Sequence, residues 1–205
     1  MLINNKVKIA VLVSGGGTNL QALINAEKGG IIKSGTISLV LSNKADAYAL
    51  TRAAEAGIKT EVVCKKDYAT AKEFEDKMIS ILDAEGIELI VLAGFMSILS
   101  GSFTDHFKDR IINVHPSLIP SFCGEGFYGL RPHRAALEYG VKVSGATVHF
   151  VNEVADGGKI IMQKAVEVYE TDTPEVLQKR VMEEAEWIIL PAATEKISFE
   201  ILCSK

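Results

Sequence analysis

Apolar strands alternate with amphipathic helices along this chain of 205 residues, which predicts an α/β fold: a mostly parallel twisted sheet with helices on both faces and an antiparallel strand addition toward the C-terminus. Three observations carry that prediction. Ile9 to Val13 and Leu89 to Ala93 are unbroken apolar runs, as expected of strands buried on both faces. The strands of the first half are separated by helical patterns, giving the order βαβαβαβ. Later, two strand-like runs, Ser144 to Val151 and Lys159 to Val168, are joined by the short link Asn152 to Gly158, which suits a hairpin with a wide loop.

Taken in order, Lys8 to Val13 forms the first strand and empties into Ser14-Gly15-Gly16-Gly17-Thr18-Asn19, after which Leu20 to Ile24 starts a helix. Strand, glycine loop and helix make an anion-binding arrangement. The glycines let backbone N–H groups approach a phosphate, and Thr18 and Asn19 are expected to add side-chain donors. The loop lacks the Gly-Lys-Ser/Thr ending of a P-loop. Leu20 stands where a dinucleotide fingerprint has its third glycine, and the next strand, Ile37 to Leu41, ends in Ser42-Asn43-Lys44 with no acidic residue for an adenosine ribose. A single phosphomonoester is the better expectation; a merely tight turn is the alternative.

Asp46 to Ala56 is helical and ends at Gly57, Lys59 to Val63 is a short strand, and Ala69 to Ala84 is an amphipathic helix closed near Gly86. Glu88 to Ala93 is the next buried strand and leads into Gly94-Phe95-Met96-Ser97-Ile98-Leu99. Pro120 to Tyr128 is irregular and glycine-rich, as a surface loop over a site would be. Arg131 to Tyr139 should be a helix ended by Gly140; its His133 either reaches substrate or supports the loop, and support is favoured. The last helix, Thr173 to Ala193, starts with Thr173-Pro174 at cap and first-turn positions and is expected to pack Val176, Leu177, Val181, Ile188 and Ile189 on the sheet. No repeat, linker or low-complexity tract interrupts this pattern, so residues 1–205 read as one Rossmann-like domain.

The chemistry centres on Arg110-Ile111-Ile112-Asn113-Val114-His115-Pro116-Ser117. Isoleucines and valine mark a buried strand, and Pro116 stops it immediately after His115. Alternation puts Asn113 and His115 on one face at the strand's C-terminal end, where open α/β sheets hold ligands. An amide donor beside an imidazole is suitable equipment for acyl or formyl transfer. The alternative is a turn-capping Asn113 and a satisfied core histidine. Asp156 before two glycines has a plain explanation as a turn former, and His149 within its strand reads as structural.

Composition excludes other classes. The chain is 48% hydrophobic and 23% charged, ordinary for a globular protein, and its net charge of −4 argues against a nucleic-acid surface built on overall basicity. No apolar run reaches the roughly 18 residues of a membrane span. Met1 to Lys6 lacks a signal-peptide core, so a cytoplasmic protein is expected. Cys64, Cys123 and Cys203 are widely spaced and odd in number, suggesting neither a zinc site nor a disulfide framework. Cys123 has no identifiable base beside it and is not favoured as a nucleophile.

Ser14-Gly15-Gly16-Gly17-Thr18-Asn19-Leu20-Gln21, Leu92-Ala93-Gly94-Phe95-Met96, Asn113-Val114-His115-Pro116-Ser117 and Asp156-Gly157-Gly158 together resemble the phosphoribosylglycinamide formyltransferases, a branch of the formyltransferase superfamily. The likeness runs from about Lys8 to about Pro191. It implies formyl transfer from 10-formyltetrahydrofolate to the amine of 5-phosphoribosylglycinamide in purine biosynthesis, without a metal, on small molecules, by a monomer or homodimer. It also implies a phosphate-binding half at about 1–100 and a catalytic and folate half at about 101–205.

By this resemblance the catalytic residues are Asn113, His115 and Asp156. Asn113 and a protonated His115 would stabilise the oxyanion, with Asp156 raising the imidazole's pKa and helping to move the amine's proton through water. Gly17, Thr18 and Asn19 would hold the phosphate, and Glu186 the ribose hydroxyls; without the resemblance Glu186 would read as a solvated helix carboxylate. The folate would lie against Met96, Ser97, Ile98 and Leu99, the loop Val154-Ala155-Asp156, Asn113, and Lys72. Ser97 and Ala71-Lys72 stand where the family commonly has arginines, Lys159 where it usually has proline, and Phe122 to Leu130 is longer than the usual connection. The rivals are a formyltetrahydrofolate hydrolase, expected to carry a regulatory domain before a first strand that starts here at about residue 7, and a methionyl-tRNA formyltransferase, for whose tRNA-binding domain there is no room. A non-catalytic phosphometabolite-binding protein would need only the glycine loop.

Overall fold

A computed structural model describes residues 6–205; residues 1–5, which carry most of the expectation about a missing leader, lie outside the described residues. Seven strands form one sheet: β1 (Val7–Val13), β2 (Gly35–Ser42), β3 (Lys59–Val62), β4 (Leu89–Leu92), β5 (Ile111–His115), β6 (Val143–Phe150) and β7 (Ile160–Glu167). They lie in the order β3-β2-β1-β4-β5-β6-β7. The first five pair parallel, while β6 and β7 are added antiparallel. The order reverses between β1 and β4, and that switch point opens a crevice at the strands' C-terminal ends.

The side chains of β1 show why both faces must be covered. Ile9, Val11 and Val13 enter one core with α1 (Thr18–Lys28), α2 (Tyr48–Glu55), α5 (Arg131–Tyr139), α6 (Pro174–Val181) and α7 (Trp187–Cys203). Ala10 and Leu12 enter the other with α3 (Ala71–Ala84) and α4 (Gly101–His106). This is period-2 alternation in a strand that is apolar throughout. Each large aliphatic or aromatic side chain removed from water here contributes about 1.5–3 kcal/mol. Among the described residues no helix is long and apolar enough to cross a membrane.

Two elements differ from the sequence reading. Helix α4 was not expected, because six residues carry too little periodicity to register. Its start is built from polar contacts: the Ser100 hydroxyl accepts from Phe103 N–H, and the buried Glu75 carboxylate accepts from Ser100 N–H at 2.9 Å and from the Ser100 hydroxyl. The second difference is the C-terminal helix, which runs on to Cys203 and is broken by a π-helical turn over Met182–Glu186. Leu177, Val181 and Ile189 are buried as expected, but Val176 and Ile188 are 47% and 51% exposed. Val176 falls beside the Leu177/Val181 stripe of α6. The wider π turn then shifts the helical phase, so Ile188 leaves the stripe that a continuous 3.6-residue repeat assigns it.

Candidate active site

The crevice is tied together at three loop ends. Ser14, just past β1, accepts Met96 N–H from the loop after β4 at 2.8 Å. Asn43, just past β2, donates to the Ser97 hydroxyl at 2.9 Å, so Ser97 is held by a neighbouring loop. Beside them β5 delivers Asn113 and His115 on one face, in antiparallel register with His149 and Thr147 of β6.

His115 is almost fully buried. Its Nε2 lies 2.9 Å from the Phe122 carbonyl, which can only accept, so this nitrogen carries the proton. Its Nδ1 faces Asp156 Oδ2 at 3.3 Å. The other oxygen of Asp156 lies 3.5 Å from His149 Nε2, and Gly124 N–H donates to Oδ2 at 2.8 Å. His149 Nδ1 meets the Phe150 carbonyl at 2.8 Å, while its Nε2 is 3.2 Å from Asn113 Nδ2. One carboxylate therefore stands between two buried imidazoles, with the Asn113 amide against the second.

Burial pushes the His115 pKa below its ordinary value, and the attraction of Asp156 does not restore it. Asp156 acts upward, as expected of a neighbouring carboxylate, but desolvation outweighs it. Burial acts upward on Asp156 itself. The hydrogen bond to His149, the nearby His115 and the Gly124 N–H outweigh it and hold the carboxyl below the usual range. Asp156 sits at φ 55°, a left-handed conformation that aspartate tolerates. The two glycines after it are demanded by space: a Cβ at Gly157 would meet Val154 at 2.7 Å, and one at Gly158 would overlap the Phe150 carbonyl.

The glycine loop enters α1 through Gly17, whose φ of 72° and ψ of 33° place it in the left-handed region. Thr18 is exposed at the helix start. The Asn19 side chain turns to Glu186, its amide donating one hydrogen to Oε2 at 2.7 Å, while its backbone N–H stays at the helix start. Glu186 is not a solvated carboxylate. It is 6% exposed in the π turn, and burial raises its pKa against the pull of Asn19.

The residues expected on the folate side divide. Met96, Ile98 and Val154 are exposed apolar side chains at 52%, 70% and 58%, around the loops that carry Asp156. Leu99 is 5% exposed and belongs to the core shared with α3 and α4, so it supports the loop from behind instead of forming a wall. Lys72, in the first turn of α3, is exposed and pairs with Asp76 at 2.5 Å. Cys123 donates to the Pro120 carbonyl at 3.3 Å, and burial, then Asp156, push its thiol pKa up, which disfavours a nucleophile.

His149 was undervalued by the sequence reading, and the Phe122 carbonyl and Gly124 N–H were absent from it. Only the β5–β6 register reveals the first, and backbone groups leave no residue-type signal for the others.

The chain resembles known proteins along most of its length. Residues 7–194 match the formyl transferase family. The chain is 44% identical over 184 residues to a phosphoribosylglycinamide formyltransferase of Haemophilus influenzae, covering 90% of this chain and 84% of that one. It is 48% identical over 194 residues to the chicken trifunctional purine biosynthetic protein adenosine-3, covering 95% of this chain but only 19% of that protein's length. The crystal structure of glycinamide ribonucleotide transformylase 1 from Symbiobacterium toebii superposes with a TM-score of 0.89 at 42% identity, covering 95% of this chain and 89% of that one. On a family match over residues 7–194 and similarity in sequence and fold along most of its length, the chain belongs to the formyl transferase family, in its phosphoribosylglycinamide branch.

Proposed function

We propose that this protein transfers a formyl group from 10-formyltetrahydrofolate to the amine of 5-phosphoribosylglycinamide, a step of purine biosynthesis. The observation that carries the reading is the convergence of His115 and His149 on Asp156, with Asn113 against His149 at the end of β5. Holding a phosphate requires none of these four side chains. Transferring an acyl group does.

The bound folate supplies the electrophilic formyl carbonyl. The exposed apolar side chains of Met96, Ile98 and Val154 suit one face of a flat heterocycle, and the backbone at Ala155 and Asp156 suits its polar edge. Ser97 takes the place of an arginine there, and Lys72 offers a point charge where a guanidinium fork is common. The acceptor's phosphate belongs at the N–H groups of Gly17, Thr18 and Asn19, and its ribose hydroxyls at Glu186. Residues of about 1–100 then hold the phosphate and residues of about 101–205 carry the chemistry, with Glu186 reaching back to the first half through Asn19.

The side chains contribute electrostatics and proton traffic. As negative charge grows on the transferring carbonyl oxygen, the second N–H of the Asn113 amide is a donor that stabilises it, and the His115 Nε2–H joins it by turning away from the Phe122 carbonyl it meets at rest. The attacking amine must lose a proton, and one proton must reach the leaving nitrogen. Asp156, ionised and 3.3 Å from His115 Nδ1, can take and return that proton through water. The protein is expected to act in the cytoplasm as a monomer or homodimer. Incubation with glycinamide ribonucleotide and 10-formyltetrahydrofolate should yield the formylated nucleotide. Release of formate at the same rate without acceptor would favour a hydrolase instead.

A further inference from the structure

Helix α2 grips the glycine loop, and the grip determines where the loop's N–H groups point. Ala49 N–H donates to the Gly15 carbonyl at 3.0 Å, and Arg52 Nε donates to the Gly16 carbonyl at 2.8 Å. In a trans peptide each carbonyl is antiparallel to the N–H of the next residue. Drawing the carbonyls of Gly15 and Gly16 toward α2 therefore turns the N–H groups of Gly16 and Gly17 to the opposite side. Those two groups, with the N–H groups of Thr18 and Asn19 at the start of α1, have no acceptor among the described residues. Successive N–H groups aimed one way form an anion-binding concavity.

Arg52 reaches further than this one bond. Its Nη1 donates to Gln21 Oε1 at 3.1 Å, Gln21 N–H returns to the Gly17 carbonyl at 2.9 Å, and the guanidinium stacks on the Tyr48 ring with 5.0 Å to the centroid. The fork thus joins the loop to the first turn of α1. The loop contains no lysine, so Arg52 also brings a fixed positive charge against it.

We propose that Arg52 is a positioning residue for the acceptor's phosphate: it keeps the loop's N–H groups aimed at the anion without touching it. This rests on the reading that the glycine loop binds that phosphate. The test compares parent and Arg52→Met on glycinamide ribonucleotide and on the dephosphorylated riboside. Arg52→Met should raise KM for the ribonucleotide about tenfold, the scale of one lost charge-assisted hydrogen bond. kcat at saturation, the folate KM and the riboside kcat/KM should change less than about twofold. Arg52→Lys should fall between, since an ammonium can reach one acceptor but cannot bridge and stack.

A general structural role would depress both acceptors alike. If folded Arg52→Met keeps the parent's full preference for the phosphorylated acceptor, the role given to Arg52 is wrong while the phosphate site stands. If the parent itself shows no such preference, the phosphate reading fails and this proposal fails with it. Should Arg52→Met not fold, the same ratio measured on Arg52→Lys and Gln21→Ala decides the question.

Discussion

His133 makes the protein acid-sensitive in a window set by its surroundings. The side chain sits in the first turn of α5, 1% exposed, and neither ring nitrogen has a hydrogen-bond partner. Burial, reinforced by His115, drives its pKa from 6.5 to about 4. The unfolded chain therefore binds the extra proton from pH 6.5 downward, while the folded chain refuses it until about pH 4. Stability is complete above pH 6.5, declines as pH falls through the window, and levels off below it. A gap of 2.5 pH units is worth about 3 kcal/mol.

Urea denaturation of the parent and of His133→Leu, at steps from pH 7 to pH 4, measures this directly. The leucine variant carries no proton, so the parent should lose about 3 kcal/mol more than the variant across the range. The difference between the two proteins is the informative quantity. The lowered His115 pKa acts in the same direction in both, and the raised Glu186 pKa acts in the opposite direction in both. Parallel stability curves would show that His133 is protonated in the native state and that its burial exerts no such control.

Asp156→Asn preserves an acceptor for Gly124 N–H but removes the charge between the imidazoles, so turnover should fall by about 10²–10³ with little change in substrate affinity; full steady-state activity in the folded variant would exclude the role assigned to Asp156. Asn113→Asp replaces a donor with a carboxylate where negative charge develops, and a loss on the order of 10² or more in kcat is expected from single-turnover kinetics. The acid limb of kcat/KM for the parent should lie below pH 6.5, because both His115 and Asp156 are held below their ordinary values; a limb centred above pH 7 would contradict the lowered His115 pKa. Gly17→Val should destabilise the whole fold, not the phosphate site alone. Its Cβ would meet that of Ala49 at 2.6 Å in a left-handed conformation that itself costs about 1–2 kcal/mol, so a thermal melt should shift before any ligand is added.

Legibility in the sequence followed the reach of each interaction. The strand, glycine loop and helix at the start were readable because an apolar run and three consecutive glycines act within a few residues of one another. Asn113 and His115 were readable for a similar reason, since strand alternation alone puts them on one face. His149 joins them only through the β5–β6 register. The direction in which the His115 pKa moves depends on a balance between burial and one carboxylate that no local pattern reports. Leu99 looks the same in sequence whether it walls a pocket or fills a core, and only packing distinguishes the two. The phase of the last helix was lost because a 3.6-residue template has no place for the π turn over Met182–Glu186.

The hydrogen bond from Asn19 to Glu186 spans 167 positions of chain, and that separation has a consequence for synthesis. A ribosome adds about 5–20 residues per second, so the glycine loop emerges on the order of 10–30 s before the carboxylate that anchors its asparagine. During that interval the nascent chain already holds the strand and helix flanking the loop, while α7, which packs on α1, has yet to be made. On the proposed reading, the early loop can attract anions through its N–H groups but lacks the carboxylate that would select a ribose. With Glu186 in the role proposed for it, discrimination between a bare phosphate and a sugar phosphate waits until residue 186 has been made.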